Sequence, residues 1–359
     1  MTQPNPDFAP EPVRIGGVPV GPGRKPYLIA EVGSNHNGDL ALCHRLVEAA
    51  HAAGADAVKF QSWSASSLVG RAEYERNTSY ADKKKHFGSL REMVEAYQLT
   101  PAMHAEVARH CAELGIAFLS TPFAPEEVAM LAELDVPAYK IASMDVNHPV
   151  LLRSVAATRK PVLLSTGMAS LGEVGRAVDT LAEAGSGPVV LLHCVSIYPP
   201  DPDDVNLRNI PMLESAFGTP VGFSDHTLGT AAAFAAVALG ACLVEKHFTL
   251  DKELPGWDHA ISADPDELAE LARDLGFVQR ALGGSARRVS EAELAKRRKF
   301  RRRVVLRRAV SAGTVLALED LDFKRPGTGI DPDQYPAVVG RAVARDLPAD
   351  HELEWDDLA

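Results

Sequence analysis

Eight short apolar runs punctuate the first 250 residues of the chain, and most of them close on a polar or charged side chain. They are Tyr27 to Gly33, Asp56 to Ser62, Ala117 to Phe123, Ala138 to Ser143, Pro161 to Gly167, Val189 to Cys194, Val221 to His226 and Leu243 to Phe248. Continuous apolar runs of this length suit strands covered on both faces. The stretches between them, such as Leu40 to Ala53 and Met103 to Leu114, are rich in Ala, Leu and Glu at helical spacing. Strand and helix in strict alternation predict parallel βαβ units, and eight such units predict an α/β fold of the (β/α)8 TIM-barrel kind.

In that fold the loops after the strands converge at one rim, so chemistry is expected at the C-terminal ends of the strands. The candidates there are Glu31, Lys59, Gln61, Thr121, Lys140, Ser143, Ser165, His193, Ser224, His226, Glu245 and His247. A segment at Arg14 to Lys25, with Gly-Gly and Gly-Pro-Gly turns, reads as a hairpin closing the bottom of the barrel. Residues 62 to 100 form the longest irregular insertion and carry Tyr74, Arg76, Asn77, Tyr80 and a Lys83-Lys84-Lys85 cluster. At the catalytic rim such insertions commonly cover substrate.

After a final helix over Asp264 to Leu282 the pattern changes. The expected division is a tail and hairpin over 1–25, a barrel over 26–284, a basic linker over 285–303 and a small β-rich domain over 304–359. The last is too small to hold much core by itself and is expected to dock on something. Lys296 to Arg308 packs nine basic residues into thirteen, yet the chain of 359 residues carries a formal net charge of −11. That balance argues against nucleic acid or an anionic membrane as partner, and the basic tract reads as a linker. No apolar stretch is long enough to span a bilayer and the Pro-rich start is no signal peptide, so the expected location is cytoplasmic. The four cysteines, Cys43, Cys111, Cys194 and Cys242, have no CxxC spacing and read as reduced and structural.

His226 and His247 end adjacent strands. A lone strand histidine is commonly a hydrogen-bonded core residue, but two side by side suit an octahedral divalent ion, Mn2+ first, with Mg2+ or Co2+ as alternatives. Lys59 and Lys140 follow apolar runs from which they cannot snorkel, and a buried ammonium needs an anionic partner. A Schiff-base role is one reading. A phosphate or carboxylate ligand is the better one, since Ser143, Ser165, Thr166 and Ser224 gather at the same rim.

The strand ends also spell a known set of motifs: IAEVGSNHNG (29 to 38), GADAVKFQ (54 to 61), STPF (120 to 123), YKIAS (139 to 143), LSTGM (164 to 168), LLHCVSIYP (191 to 199), GFSDHT (222 to 227), EKHFT (245 to 249) and PGWDH (255 to 259). In these the chain resembles the sialic acid synthase family. Its C-terminal LDFKRPGTGI (321 to 330) is similar to the antifreeze-like (SAF) domain of those enzymes. The resemblance implies metal-dependent condensation of phosphoenolpyruvate with an N-acylated aminosugar such as N-acetylmannosamine, giving a nine-carbon keto acid and phosphate. It further implies Glu31 and Asp258 as catalytic carboxylates, and Lys59, Lys140, Ser143, Ser165 and Ser224 as phosphoenolpyruvate ligands with Gln61, Thr121 and Phe123 beside them. His226 and His247 become the metal ligands and Tyr198 a sugar contact. Arg325 would be supplied by the partner in a domain-swapped homodimer.

Two positions depart from the family pattern. Asp145 stands where a catalytic glutamate is usual, and Ser196 where asparagine is common, both where specificity would be set. Another phosphoenolpyruvate-dependent sugar-acid synthase of the same superfamily, or a binding scaffold without catalysis, are the rival expectations.

Overall fold

The computed structural model describes residues 10–81, 86–284, 286–325 and 327–359. The lysine cluster at 83 to 85 lies outside them. Eight parallel strands close into a barrel in sequence order: β1 (Tyr27–Gly33), β2 (Ala57–Ser62), β3 (Ala117–Pro122), β4 (Tyr139–Ile141), β5 (Val162–Ser165), β6 (Val189–Cys194), β7 (Val221–Asp225) and β8 (Leu243–His247). β8 pairs back onto β1 from Leu243↔Tyr27 to His247↔Glu31 and completes the ring. β4 and β5 are shorter than their apolar runs, because Ser143–Asp145 turns into a 3-10 helix and proline occupies the position before Val162.

Successive strand residues face opposite sides, and this period of two sorts the chemistry. One set faces the surrounding helices and packs against them: Leu28, Ala30, Val58, Phe60, Tyr139, Ile141, Leu164, Leu191, Phe223 and Val244. The other set faces inward. Toward the N-terminal ends it is apolar, with Tyr27, Ile29, Ala57, Leu119, Ala138, Leu163, Val190, Leu192 and Leu243 in one cluster. The hairpin of Val13–Ile15 and Val18–Val20 drives Val13, Ile15 and Val20 into that cluster, so the bottom of the barrel is filled. Gly222 permits the close approach of β6, β7 and β8 there: a Cβ would stand 2.7 Å from Leu192 Cδ2 and 2.8 Å from the Leu243 carbonyl.

The helices begin and end where local chemistry dictates. Asp39 accepts a hydrogen bond from the Ala41 N–H and starts the helix Leu40–Ala53, and Gly54 ends it at φ 90°. Asp264 and Glu267 form a reciprocal cap on Pro265–Leu282. The insertion after β2 is less irregular than its sequence suggests. Ser64 and Ser89 each make a capping box, starting the helices Ala65–Leu68 and Leu90–Tyr97, and a small satellite core forms around Trp63, Tyr74, Met93 and Tyr97.

The chain divides into two compact units, one ending at Gly283 and one running over Gly284–Ala359. The tract read as a linker contains a helix, Glu291–Phe300, capped by Ser290 through the Glu293 N–H. Beyond it β9 (Arg303–Leu306) and β10 (Leu321–Lys324) pair antiparallel over a separate core that includes Val304, Leu306, Leu316, Val338, Val343 and Leu353. All four cysteines are buried and free. No helix among the described residues is long and apolar enough to cross a membrane.

Candidate active site

Toward the C-terminal strand ends the inward-facing positions turn polar, and they enclose a cavity of about 360 Å³. Register brings the groups together. Glu31 pairs with Lys59, Gln61 with Thr121, Cys194 with Ser224, Ser224 with Glu245, and His247 with Glu31 across neighbouring strands. In-register neighbours on parallel strands project to the same side, so these inward positions, joined by Lys140 on β4, bring two ammonium groups, two carboxylates and an imidazole to one cavity.

The charges neutralise one another. Lys59 Nζ lies 2.7 Å from Glu31 Oε2 and 3.7 Å from Glu245 Oε2, and it donates to Thr121 Oγ1 at 2.9 Å. Lys140 Nζ is 3.7 Å from Glu245 Oε1. Gln61 Nε2 donates to Glu31 Oε1 at 2.8 Å, and Ser224 Oγ donates to Glu245 Oε1 at 2.8 Å. Burial opposes the charge on Lys59, but Glu245 and Glu31 outweigh it and hold its pKa above the usual lysine value. Lys140 has less compensation, so burial pulls its pKa down. Glu31 is lifted to about 7, chiefly by burial and against the pull of Lys59, which poises it to hold or release a proton near neutrality.

A hydroxyl cluster lies beside the lysines. Ser143 Oγ accepts from the Gly167 N–H at 3.0 Å, and Ser165 Oγ is buried with no hydrogen-bond partner among the described residues. Gly167 is required by this packing: a Cβ there would stand 2.5 Å from Ser196 Oγ and 2.8 Å from Ser143 Oγ. Phe123, Met144 and Met168 line the cavity, and Tyr198, about half exposed, sets its ring 4.1 Å from that of His226.

The rings of His226 and His247 are 5.4 Å apart. His226 Nδ1 is fixed on the Val195 carbonyl at 2.8 Å, which orients the ring and its other nitrogen. His247 Nδ1 is buried without a hydrogen-bond partner among the described residues, 3.7 Å from Asp258 Oδ2. Burial and the neighbouring His226 keep His247 far below the usual histidine pKa and therefore neutral, as a ligating imidazole must be. These residues fit a divalent ion. Among the described residues no three His, Cys, Asp or Glu groups converge to hold one by themselves, so oxygens of water or substrate would complete an octahedron. Asp258 is lifted by burial to about 6.

Of the residues expected from sequence, Glu31, Lys59, Gln61, Thr121, Phe123, Lys140, Ser143, Ser165, Tyr198, Ser224, His226, His247 and Asp258 share this cavity. Asp145 does not line it. It is buried beside the cavity with Oδ2 unpartnered among the described residues, and burial raises its pKa to about 6. His193 is turned aside, its Nε2 on the Val205 carbonyl at 2.6 Å. Arg325 belongs to the second unit, with its guanidinium 5.3 Å from the centre of the Phe300 ring. Sequence reasoning assigned no role to Glu245, the counter-charge of both lysines. Its signal was its place two residues before His247 on one strand, hence on the same face.

Comparison with known proteins agrees with this geometry. The NeuB family model matches residues 46–287 and the SAF domain model residues 301–359. The chain is 39% identical to N,N'-diacetyllegionaminic acid synthase of Legionella pneumophila, over 96% of this chain and 98% of that one. It is 34% identical to the human N-acetylneuraminate-9-phosphate synthase, over 88% of each. The solved N-acetylneuraminic acid synthetase of Leptospira borgpetersenii superposes with a TM-score of 0.71 at 34% identity, covering 80% of this chain and 95% of that one. With the barrel, its ring of buried charge and the appended domain all accounted for, the chain belongs to the NeuB family.

Proposed function

We propose that the protein condenses phosphoenolpyruvate with an N-acylated aminosugar to give a nine-carbon nonulosonic acid and inorganic phosphate. The observation that carries this reading is the burial of Lys59 and Lys140 in one cavity with the unpartnered Ser165 hydroxyl and the imidazole pair. Burying this much charge is costly even when it is ion-paired, and titratable groups with shifted pKa values gathered in one cleft point to a functional site. Names of the relatives point the same way, since each is a synthase of a nine-carbon sugar acid.

In this reading Lys59 and Lys140 hold the phosphate and carboxylate of phosphoenolpyruvate, with Ser143, Ser165 and Ser224 as hydroxyl donors. His226 and His247 would hold a divalent ion, Mn2+ by preference, which when bound would supply Lewis acidity to the acceptor's aldehyde. The C3 carbon of phosphoenolpyruvate bonds to the aldehyde carbon, whose oxygen takes up a proton. Water then adds to C2, giving one proton to Glu31 or Asp258, and the C2–O bond breaks as phosphate leaves with the electron pair and takes up the remaining hydroxyl proton, so that C2 becomes the keto carbon. Holding both substrates and the water in line contributes about 7–11 kcal/mol in favourable cases. Tyr198 faces the sugar. A homodimer in which Arg325 of the partner subunit reaches the sugar's acyl group is supported by the KRPGTG resemblance.

The test is release of inorganic phosphate from phosphoenolpyruvate across a panel of acceptors: N-acetylmannosamine, its 6-phosphate and 6-deoxy diacetamido hexoses. Release that requires one of these sugars and a divalent ion supports the reading. Hydrolysis independent of any sugar, or none with all of them, defeats it.

A further inference from the structure

Immediately before each imidazole of the pair stands a charged residue that the cavity does not use: Asp225 before His226, and Lys246 before His247. Alternation sends these side chains to the outer face of β7 and β8 while the imidazoles face the cavity. The strands pair Asp225 directly with Lys246, and the two side chains meet at 2.9 Å with essentially no exposure. They also seize the residue after His226. Asp225 Oδ1 accepts from both the N–H and the hydroxyl of Thr227 at 2.8 Å, and Lys246 Nζ donates to the Thr227 carbonyl. The backbone on both sides of His226 is thus tied to the strand that carries His247.

A buried ion pair is a poor means of stabilising a fold, because desolvation cancels most of the attraction and apolar replacements do as well. What this one fixes is register and direction: with Thr227 held, the main chain of His226 cannot turn relative to His247.

We propose that Asp225 and Lys246 are positioning residues that set the separation and aim of the two imidazoles for a shared divalent ion. The inference rests on the metal reading given above, and it assigns to the pair a role in ion affinity rather than in holding phosphoenolpyruvate.

The test compares the full-length protein with D225N/K246Q, a neutral pair that keeps hydrogen-bonding groups on both strands, and with K246R, which keeps the ion pair. Mn2+ binding is followed by the loss of its free-ion EPR signal at saturating phosphoenolpyruvate, beside thermal unfolding and KM for phosphoenolpyruvate at saturating Mn2+. The expected result is a folded D225N/K246Q protein that binds Mn2+ about 10–100-fold more weakly, with KM for phosphoenolpyruvate unchanged and K246R near wild type. Equal Mn2+ affinity in wild type and the folded double variant overturns the inference. Failure of the double variant to fold also overturns it, because the pair would then hold the barrel and not the site. If the wild-type protein takes up no Mn2+, the metal reading itself falls, and this inference with it.

Discussion

Replacing Lys140 with methionine removes one buried cation while filling nearly the same space, so it separates substrate binding from stability. Lys140 is the less compensated of the two lysines: burial depresses its pKa, and its nearest carboxylate, Glu245, also has Lys59 at 3.7 Å. Its charge is therefore a burden on the fold, and K140M is expected to change stability by less than about 1.5 kcal/mol. Its effect on the substrate is larger. A phosphate or carboxylate oxygen about 4 Å from the ammonium gains about 4 kcal/mol at an effective dielectric of 20, which is roughly a thousandfold in kcat/KM. The assay is phosphate release at subsaturating phosphoenolpyruvate, with thermal unfolding in parallel. Lys59 supplies the contrast: removing it strands Glu31, whose ion-pair partner lies at 2.7 Å, so K59M is expected to lose about 3–5 kcal/mol of stability as well. Normal phosphate release by K140M would refute the reasoning.

Asp145→Asn is expected to stabilise the protein. The native carboxyl is raised from 3.8 to about 6, so its ionised form disfavours the fold by roughly 3 kcal/mol above that pH, and the penalty vanishes as pH falls toward 3.8. Thermal unfolding should show the gain in Tm at pH 7–8 and its loss near pH 4, and because Asp145 stands outside the cavity lining, turnover should hold; a collapse in turnover would restore it as a catalytic residue. Chelation with EDTA should abolish phosphate release with little change in Tm, and added Mn2+ should restore it; full activity in EDTA would remove the ion from the mechanism. Gly167→Ala forces Ser143 and Ser196 apart and is expected to raise KM for phosphoenolpyruvate by about tenfold or more, measured beside an unaltered far-ultraviolet spectrum.

The barrel was readable because its strands carry the signal twice, once as buried apolar runs and once as polar closing residues. Tyr27–Gly33 and Val189–Cys194 match their strands end to end, and Asp39 with Gly54 brackets the first helix as capping chemistry requires. Two kinds of feature escaped. Short helices inside polar stretches were one: Leu90–Tyr97 shows its apolar spacing, Leu90, Met93, Val94 and Tyr97, over only two turns, Glu291–Phe300 has no apolar stripe, and the Ser-x-x-Glu caps at Ser89/Glu92 and Ser290/Glu293 mark where each begins. Charge inside apolar runs was harder, because VGFSDH and LVEKHF each hold polar residues on both faces. Alternation separates Ser224, Glu245 and His247, which enter the cavity, from Asp225 and Lys246, and the strand register adds that these last two pair behind it. Asp145 sits at the motif position, and the 3-10 turn Ser143–Asp145 presents Ser143 and Met144 to the cavity with the carboxylate beside it.

Depth along the barrel axis explains how one fold carries both a stable core and a costly site. The lower interior is apolar and sealed by Val13, Ile15 and Val20, so apolar burial beneath the ring of charge stabilises the barrel whatever that ring costs. That ring is near neutrality in its own right, Lys59 and Lys140 against Glu31 and Glu245, which keeps four buried ionisable groups tolerable before substrate arrives. An anionic substrate competes with the two carboxylates for the same ammonium groups, and the carboxylates respond differently. The lysines hold Glu245 below its usual pKa despite its burial, so it stays ionised, while Glu31 sits near 7 and can take up a proton as the anion comes in. In the proposed reaction a protonated Glu31 would give its proton to the aldehyde oxygen and then, as carboxylate, take one from the water that adds to C2, so the burial that makes the site expensive to fold would also set its proton supply.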